Sequence, residues 1–222
     1  MRAMILAAGR GERMGALTAE RPKPLLDVGG RTLIERHLER LAAAGFDEVV
    51  INLSYRGEQI RAALGSGDRF GLRIRYSDEG EPPLETAGGI VQALPLLGDA
   101  PFLLVNADVV TDLDFAAWRR EQRDGALLLV PNPPHNPQGD FGLAADGRVV
   151  AEPPLLTYGG IATLDPALFA ALEPGRRPLK PVLDAAIARG ALRGVRYEGL
   201  WLDVGTPERL AEARAVLGAA PA

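Results

Sequence analysis

Between residues 4 and 106, short apolar runs alternate with longer stretches in which apolar residues recur every third or fourth position. That alternation constrains the fold more than any other feature. The runs at 4–7, 48–53, 72–77 and 101–106 read as strands, and 31–44, 58–64 and 85–97 read as helices. In the first of these helices Leu33, Ile34, Leu38 and Leu41 share one face, and Gly45 ends it. Apolar strands need cover on both sides, and intervening helices make neighbouring strands parallel. The expectation is an α/β fold with a mostly parallel central sheet and helices on both faces.

After Asp108 the pattern loosens. A helix over 115–122 precedes a strand at 126–130. Residues 131–140, "PNPPHNPQGD", hold four prolines, too stiff for a helix and unsuited to a central strand. Short strands follow at 141–144, 148–151 and 158–164, then a helix at 180–189 and a strand at 193–197. The stretch "WLDVGT" reads as a turn, and Thr206 caps a closing helix at 207–217 whose first residue is Pro207. With no repeat, linker or low-complexity segment, 1–222 reads as one unit: a core over about 1–130 and a smaller lobe over 131–222.

Composition removes several chemistries. Cysteine is absent, so thiol nucleophiles, disulfides and sulfur-ligated zinc go together. His37 and His135 are the two imidazoles, too few for a histidine metal cage. A net charge of −4 offers nothing to nucleic acid or to an anionic membrane. Only six apolar residues follow Arg2 before Gly9 and Arg10, short of the roughly 7–15 of a secretory core, and no window approaches a membrane span. A cytoplasmic location is expected.

Gly9-Arg10-Gly11 follows the first strand directly, where backbone amides can approach a phosphate closely. A Walker loop requires Gly-Lys-Ser/Thr, which is missing. A dinucleotide fingerprint requires a third glycine where Met14 stands, and an acid where the next strand ends on Asn52-Leu53-Ser54. Both fail. "LAAGRGERM" followed by "PKPL" instead resembles the nucleotidyltransferases that join a nucleoside triphosphate to a sugar 1-phosphate.

The resemblance implies a Rossmann-like nucleotidyltransferase fold with a nucleotide-binding core and an acceptor lobe. It implies that Leu6, Ala7, Ala8, Gly9 and Gly11 wrap the nucleotide, that Arg13 meets the outer phosphates, and that Lys23 meets the phosphate under attack. A polyphosphate needs fixed donors, and an arginine fork grips phosphate well. "ETAGGI" places Glu85 and Gly88 at the base and ribose, Gly88 letting a pyrimidine lie against the backbone. "LLVNAD" supplies Asn106 and Asp108, and "WLDVGTPERL" supplies Asp203. The family pattern joins Asp108 and Asp203 over one Mg²⁺, a cation that takes carboxylates, phosphate oxygens and waters. No general base is needed, because the attacking phosphate is already ionised.

On the acceptor side, "GDFGL", "AEPP" and "YGGI" resemble the family's sugar pocket and imply contacts from Asp140, Gly142, Glu152 and Gly160. Many members have Glu-Lys-Pro where this chain has Glu152-Pro153-Pro154, so Lys180 is the candidate for the missing charge. Over nearly its full length the chain is most similar to the short N-acetylmuramate-1-phosphate uridylyltransferases of cell-wall recycling. That implies UTP and a sugar 1-phosphate as partners, no nucleic acid or membrane, and a monomer or small homo-oligomer. A uridylyl-, thymidylyl- or guanylyltransferase for another hexose 1-phosphate, and a non-catalytic nucleotide-sugar regulator, are the alternatives. Four further features are expected to be structural or solvated: His37 packed under the first helix, His135 in an exposed loop, Trp118 and Trp201 as packing residues, and a charged helix face over 119–123.

Overall fold

In the computed structural model, which describes residues 1–122 and 124–218, strand β1 (Ala3–Leu6) lies between two parallel partners. Ile5 sits opposite Ile51 of β2 (Glu48–Leu53) on one side and Val105 of β4 (Phe102–Asn106) on the other, and β3 (Arg73–Asp78) lies beyond β2. Successive side chains leave a strand on opposite faces. Ala3 and Ile5 therefore join one core with helices α1 (Leu33–Ala43), α2 (Gly57–Leu64) and α4 (Phe115–Glu121). Met4 joins the other, with α3 (Glu85–Leu97) and α5 (Lys180–Ala188). Each fully buried Leu or Ile contributes about 1.5–3 kcal/mol.

Helix α1 starts two residues later than its periodicity suggests, for a local reason. Thr32 and Glu35 form a capping box, with Glu35 N donating to Thr32 Oγ1 at 3.4 Å and Thr32 N to Glu35 Oε2 at 3.0 Å. His37, one turn in, is buried with no partner for Nε2 among the described residues, and burial pushes its pKa down to about 4. It packs as a neutral ring, as expected. Trp118 is likewise buried, its Nε1 donating to Thr163 Oγ1 at 3.0 Å. The charged face of α4 is less solvated than expected, because Arg119 stacks on Phe46 and donates to the Ala44 and Gly45 carbonyls that end α1. Arg123 lies outside the described residues.

The second half extends the same sheet on the far side of β4. Strand β6 (Ala126–Val130) and β10 (Arg193–Arg196) are parallel to each other, and β9 (Leu155–Leu164) runs antiparallel between β6 and β4. Strand β9 starts earlier than expected because Leu155 and Leu156 pair with Gly142 and Phe141 of β7 (Phe141–Leu143), itself paired with β8 (Val149–Val150).

One expectation is corrected outright. "WLDVGT" is not merely a turn: Trp201–Asp203 form β11, antiparallel to β5 (Val109–Thr111), with Asp203 opposite Val109. Three residues carry too little alternation to be read as a strand. A third core holds this ribbon, joining Met14, Leu33, Val110 and Val204 to Leu210 and Ala213 of helix α6 (Pro207–Gly218). Among the described residues no helix is long and apolar enough to cross a membrane.

Candidate active site

The chain runs β1, β2, β3 in one direction across the sheet and then returns to β4 on the far side of β1. The order therefore reverses between β1 and β4, and ligands of open α/β sheets bind at the carboxyl ends of strands at such a switch point. A cleft of about 360 Å³ opens there, lined among others by Ala7, Ala8, Gly9, Lys23, Asn106 and Asp108.

Gly11, at φ 65°, caps a short 3-10 helix, Glu12–Thr18, in a left-handed conformation that glycine adopts without strain. A β-carbon there would also press on the Lys23 stem at 3.2 Å. Not every backbone group of the loop is available to a ligand. Ala107 N donates to the Leu6 carbonyl at 3.1 Å, and Ala7 N donates to Asn52 Oδ1 at 2.7 Å. An adjoining cavity of about 470 Å³ carries Arg10, Glu12 and Arg13 and shares Lys23 with the cleft. Three cations on one wall suit a polyphosphate.

Asp108 lies in the turn between β4 and β5 and pairs with Lys23; their side chains are 22% and 16% exposed. Pairing of β11 with β5 brings Asp203 alongside, with Val204 N donating to the Asp108 carbonyl at 2.8 Å. The two backbones are thus adjacent, while the carboxylates serve different walls. Asp203 lines a second cavity of about 260 Å³ with His135, Trp201 and the loop prolines. Both its oxygens lie 2.6 Å from Arg209 Nη1, and His135 Nε2 lies 3.0 Å from Oδ1. His135 is therefore engaged and not a bystander of the loop. Trp201 packs as expected, and its Nε1, donating to the Gly159 carbonyl at 2.9 Å, ties β11 to β9. Two part-exposed carboxylates on neighbouring backbones are hard oxygen donors, the kind that a divalent cation such as Mg²⁺ shares with phosphates and water. Among the described residues no group of three or more Asp, Glu or His is placed to hold a metal ion.

Glu85 opens α3 at φ 62°, unusual for a residue with a side chain, and pairs with Arg176 at 2.9 Å on the cleft wall. Gly88 sits differently from its expected role. The place of its absent side chain is filled by the Gly175 carbonyl, 2.2 Å from an ideal β-carbon, and Ala87 N and Gly88 N both donate to Arg177 O. Gly88 thus makes room for the 175–177 segment and does not line the cleft. Gly88→Ala should consequently cost about 1–3 kcal/mol of stability by overpacking, although alanine favours helices. Thermal unfolding checks this; a stabilised variant would show that the segment yields freely.

Among the cleft-wall residues that the sequence did not point to are Asn52, Glu79 and Arg176. Asn52 Nδ2 donates to Glu79 Oε1 at 2.6 Å, and Leu84 N donates to Oε2 at 2.8 Å. Burial raises the Glu79 pKa, with Asp78 adding to the effect and both hydrogen bonds opposing it. A polar residue inside the apolar run "VVINL" was the available signal, since buried polar groups require partners.

The acceptor candidates divide. Asn106 lines the cleft, against Gly160 at φ 71°. Asp140 Oδ2 accepts from Tyr158 N at 2.8 Å and from Asn136 Nδ2 at 3.2 Å, tying the proline loop to β9. Gly142 packs against the Glu152 carbonyl, and the Glu152 side chain is exposed. Lys180 reaches neither cavity; it pairs with Asp184 at 2.8 Å and lies over the Phe141 ring.

Comparison with known proteins agrees with this geometry. The family model described as nucleotidyl transferase matches residues 2–151. The chain is 52% identical to the N-acetylmuramate alpha-1-phosphate uridylyltransferase of Neisseria meningitidis serogroup B, over 99% of each chain. It is 38% identical to the protein of the same name from Caulobacter vibrioides, covering 98% of this chain and 97% of that one. A Bacillus anthracis structure solved with a sucrose shares the fold at TM-score 0.85 and 21% identity, over 100% of this chain and 97% of that one. A cleft at the strand-order reversal, walled by Lys23 and Asp108 behind a glycine loop, and a matching family model lead to one conclusion: the chain belongs to the nucleotidyl transferase family.

Proposed function

We propose that the chain transfers UMP from UTP to N-acetyl-α-D-muramate 1-phosphate, giving the UDP-sugar and pyrophosphate. The observation that carries this reading is the full-length likeness to two uridylyltransferases for that sugar phosphate. The cleft supports it, because it can hold a nucleotide against Lys23 while the Arg10–Arg13 cavity takes the phosphate tail.

In this reading the sugar-phosphate oxygen attacks the α-phosphorus in line and pyrophosphate leaves. Such a reaction needs alignment and charge neutralisation more than covalent help. Leu6, Ala7, Ala8, Gly9 and Gly11 shape the nucleotide side with Glu85, and Gly88 acts there by letting the 175–177 segment close that wall. Lys23 offsets charge at the α-phosphate and Arg13 at the leaving group. Asp108 and Asp203 would hold the divalent cation, most simply Mg²⁺, which would supply electrostatic neutralisation of phosphate charge. Asn106, Asp140, Gly142, Glu152 and Gly160 form or support the acceptor side, while Lys180, paired with Asp184, stays outside it; residues 1–130 supply most of the nucleotide side and 131–222 most of the sugar-phosphate side. A reaction that consumes UTP fits a cytoplasmic location.

The test is pyrophosphate release from four nucleoside triphosphates crossed with several sugar 1-phosphates. UTP with N-acetylmuramate 1-phosphate should lead, by a factor of up to about 10⁴ where buried groups pair only with that sugar. Glucose 1-phosphate winning with any donor would overturn the acceptor assignment and leave the reaction type standing.

A further inference from the structure

Helix α6 carries a residue that no motif assigns. Arg209 is 14% exposed, and its Nη1 meets both oxygens of Asp203 at 2.6 Å. Its other arm points to a different neighbour. An ideal β-carbon on Gly205 would stand 2.2 Å from Arg209 Nη2 and 3.1 Å from Arg13 Nη2, so both guanidinium groups converge over that glycine. Gly205 lines the Arg10–Arg13–Lys23 cavity. Arg10 there pairs with Glu81, and Lys23 with Asp108; among the described residues Arg13 has no ion-pair partner. Glu12 is the acid on that wall, and Asp203 answers Arg209 from behind. Of the two converging guanidinium groups, Arg209 is ion-paired through Asp203 and Arg13 has no ion-pair partner among the described residues, and such a pair is a fork for an anion with several oxygens.

We propose that Arg209 is a second phosphate-gripping guanidinium beside Arg13, held in place by Asp203, and that its ligand is the pyrophosphate portion of the nucleotide. This rests on the reading that the Arg13–Lys23 cavity takes the phosphate tail. Arg209 and a divalent cation then compete for the same two oxygens of Asp203. Cation on Asp203 turns Arg209 toward phosphate, and phosphate on Arg209 opens Asp203 to the cation.

The probes are inorganic pyrophosphate and Mn²⁺, each with the full chain and without nucleotide. By calorimetry in chelator, Arg209→Met should bind pyrophosphate roughly tenfold or more weakly than the parent, as expected for a lost hydrogen bond between charged groups. Arg209→Lys keeps the charge and loses the fork, so it should fall between them, and it carries the test should Arg209→Met not fold. Mn²⁺ followed by electron paramagnetic resonance should bind Arg209→Met more tightly than the parent, because Asp203 loses its internal cation; that gain tests the competition for Asp203, and the loss of pyrophosphate affinity is the readout that a purely structural arginine would not move. Parent-like pyrophosphate affinity in both variants, with Arg13→Met impaired, overturns the role of Arg209 and leaves the phosphate cavity standing. Parent-like affinity in Arg13→Met as well overturns the cavity reading itself. Unchanged Mn²⁺ affinity in Arg209→Met overturns the competition for Asp203.

Discussion

Asp203→Asn is expected to lower turnover by about 10²-fold or more, since one transition-state electrostatic contact is typically worth ~3 kcal/mol. The fold should survive the change. Asp203 ends β11, its side chain is 23% exposed, and asparagine keeps the shape and one acceptor oxygen for Arg209. A partly exposed ion pair contributes on the order of 1 kcal/mol, so the melting temperature should move by a few degrees at most. The ribbon that carries the residue is held by backbone pairing and by Val110, Val204 and Leu210, none of which the substitution touches. Steady-state turnover in Mg²⁺ beside a melting curve separates the two effects. Near-parent turnover in the folded variant would remove Asp203 from the reaction.

Lys23→Ala should have an effect of similar size but a different kinetic shape. The lysine is 16% exposed, stands where the cleft meets the arginine-lined cavity, and pairs with Asp108. If it offsets charge that develops on the α-phosphate, kcat and kcat/KM should fall together, by about 10²-fold or more. Arg13→Ala should also weaken UTP binding, because outer phosphates carry their charge in ground state and transition state alike. Calorimetric titration with UTP, set beside initial rates for both variants, makes the comparison. Equal binding and equal turnover in Lys23→Ala would show that its charge serves only Asp108.

Much of the architecture could be read locally. The spans Glu48–Leu53, Glu85–Leu97 and Ala126–Val130 are bounded in the sequence where they are bounded in the fold, since each is an unbroken periodic or apolar segment between breakers. That the glycine loop and Asp108 lie at the cleft was legible for a related reason, since strand ends in a parallel sheet have a fixed relation to the ligand edge; Lys23 was placed there by the family resemblance. Gly88 was misread because a glycine reports only that space is needed. It does not say whether a base or the protein's own Gly175 takes it.

By itself, the sequence determined the alternation of strands and helices, their cover on both faces, and the family, through motifs that each sit on one continuous stretch of chain. Tertiary structure alone decided what meets across the chain. Three-residue strands β5 and β11 find each other only when the third core draws α6 against Met14 and Val110. That pairing sets Asp203 beside Asp108, brings Arg209 and His135 to its oxygens, and turns Arg209 toward Arg13. The same holds for Asn52, whose amide joins Ala7 to Glu79 across two strand ends. Such contacts depend on packing among distant segments, and no local periodicity encodes them. Chemistry was thus written in short motifs, and the charge balance around it was set by the fold.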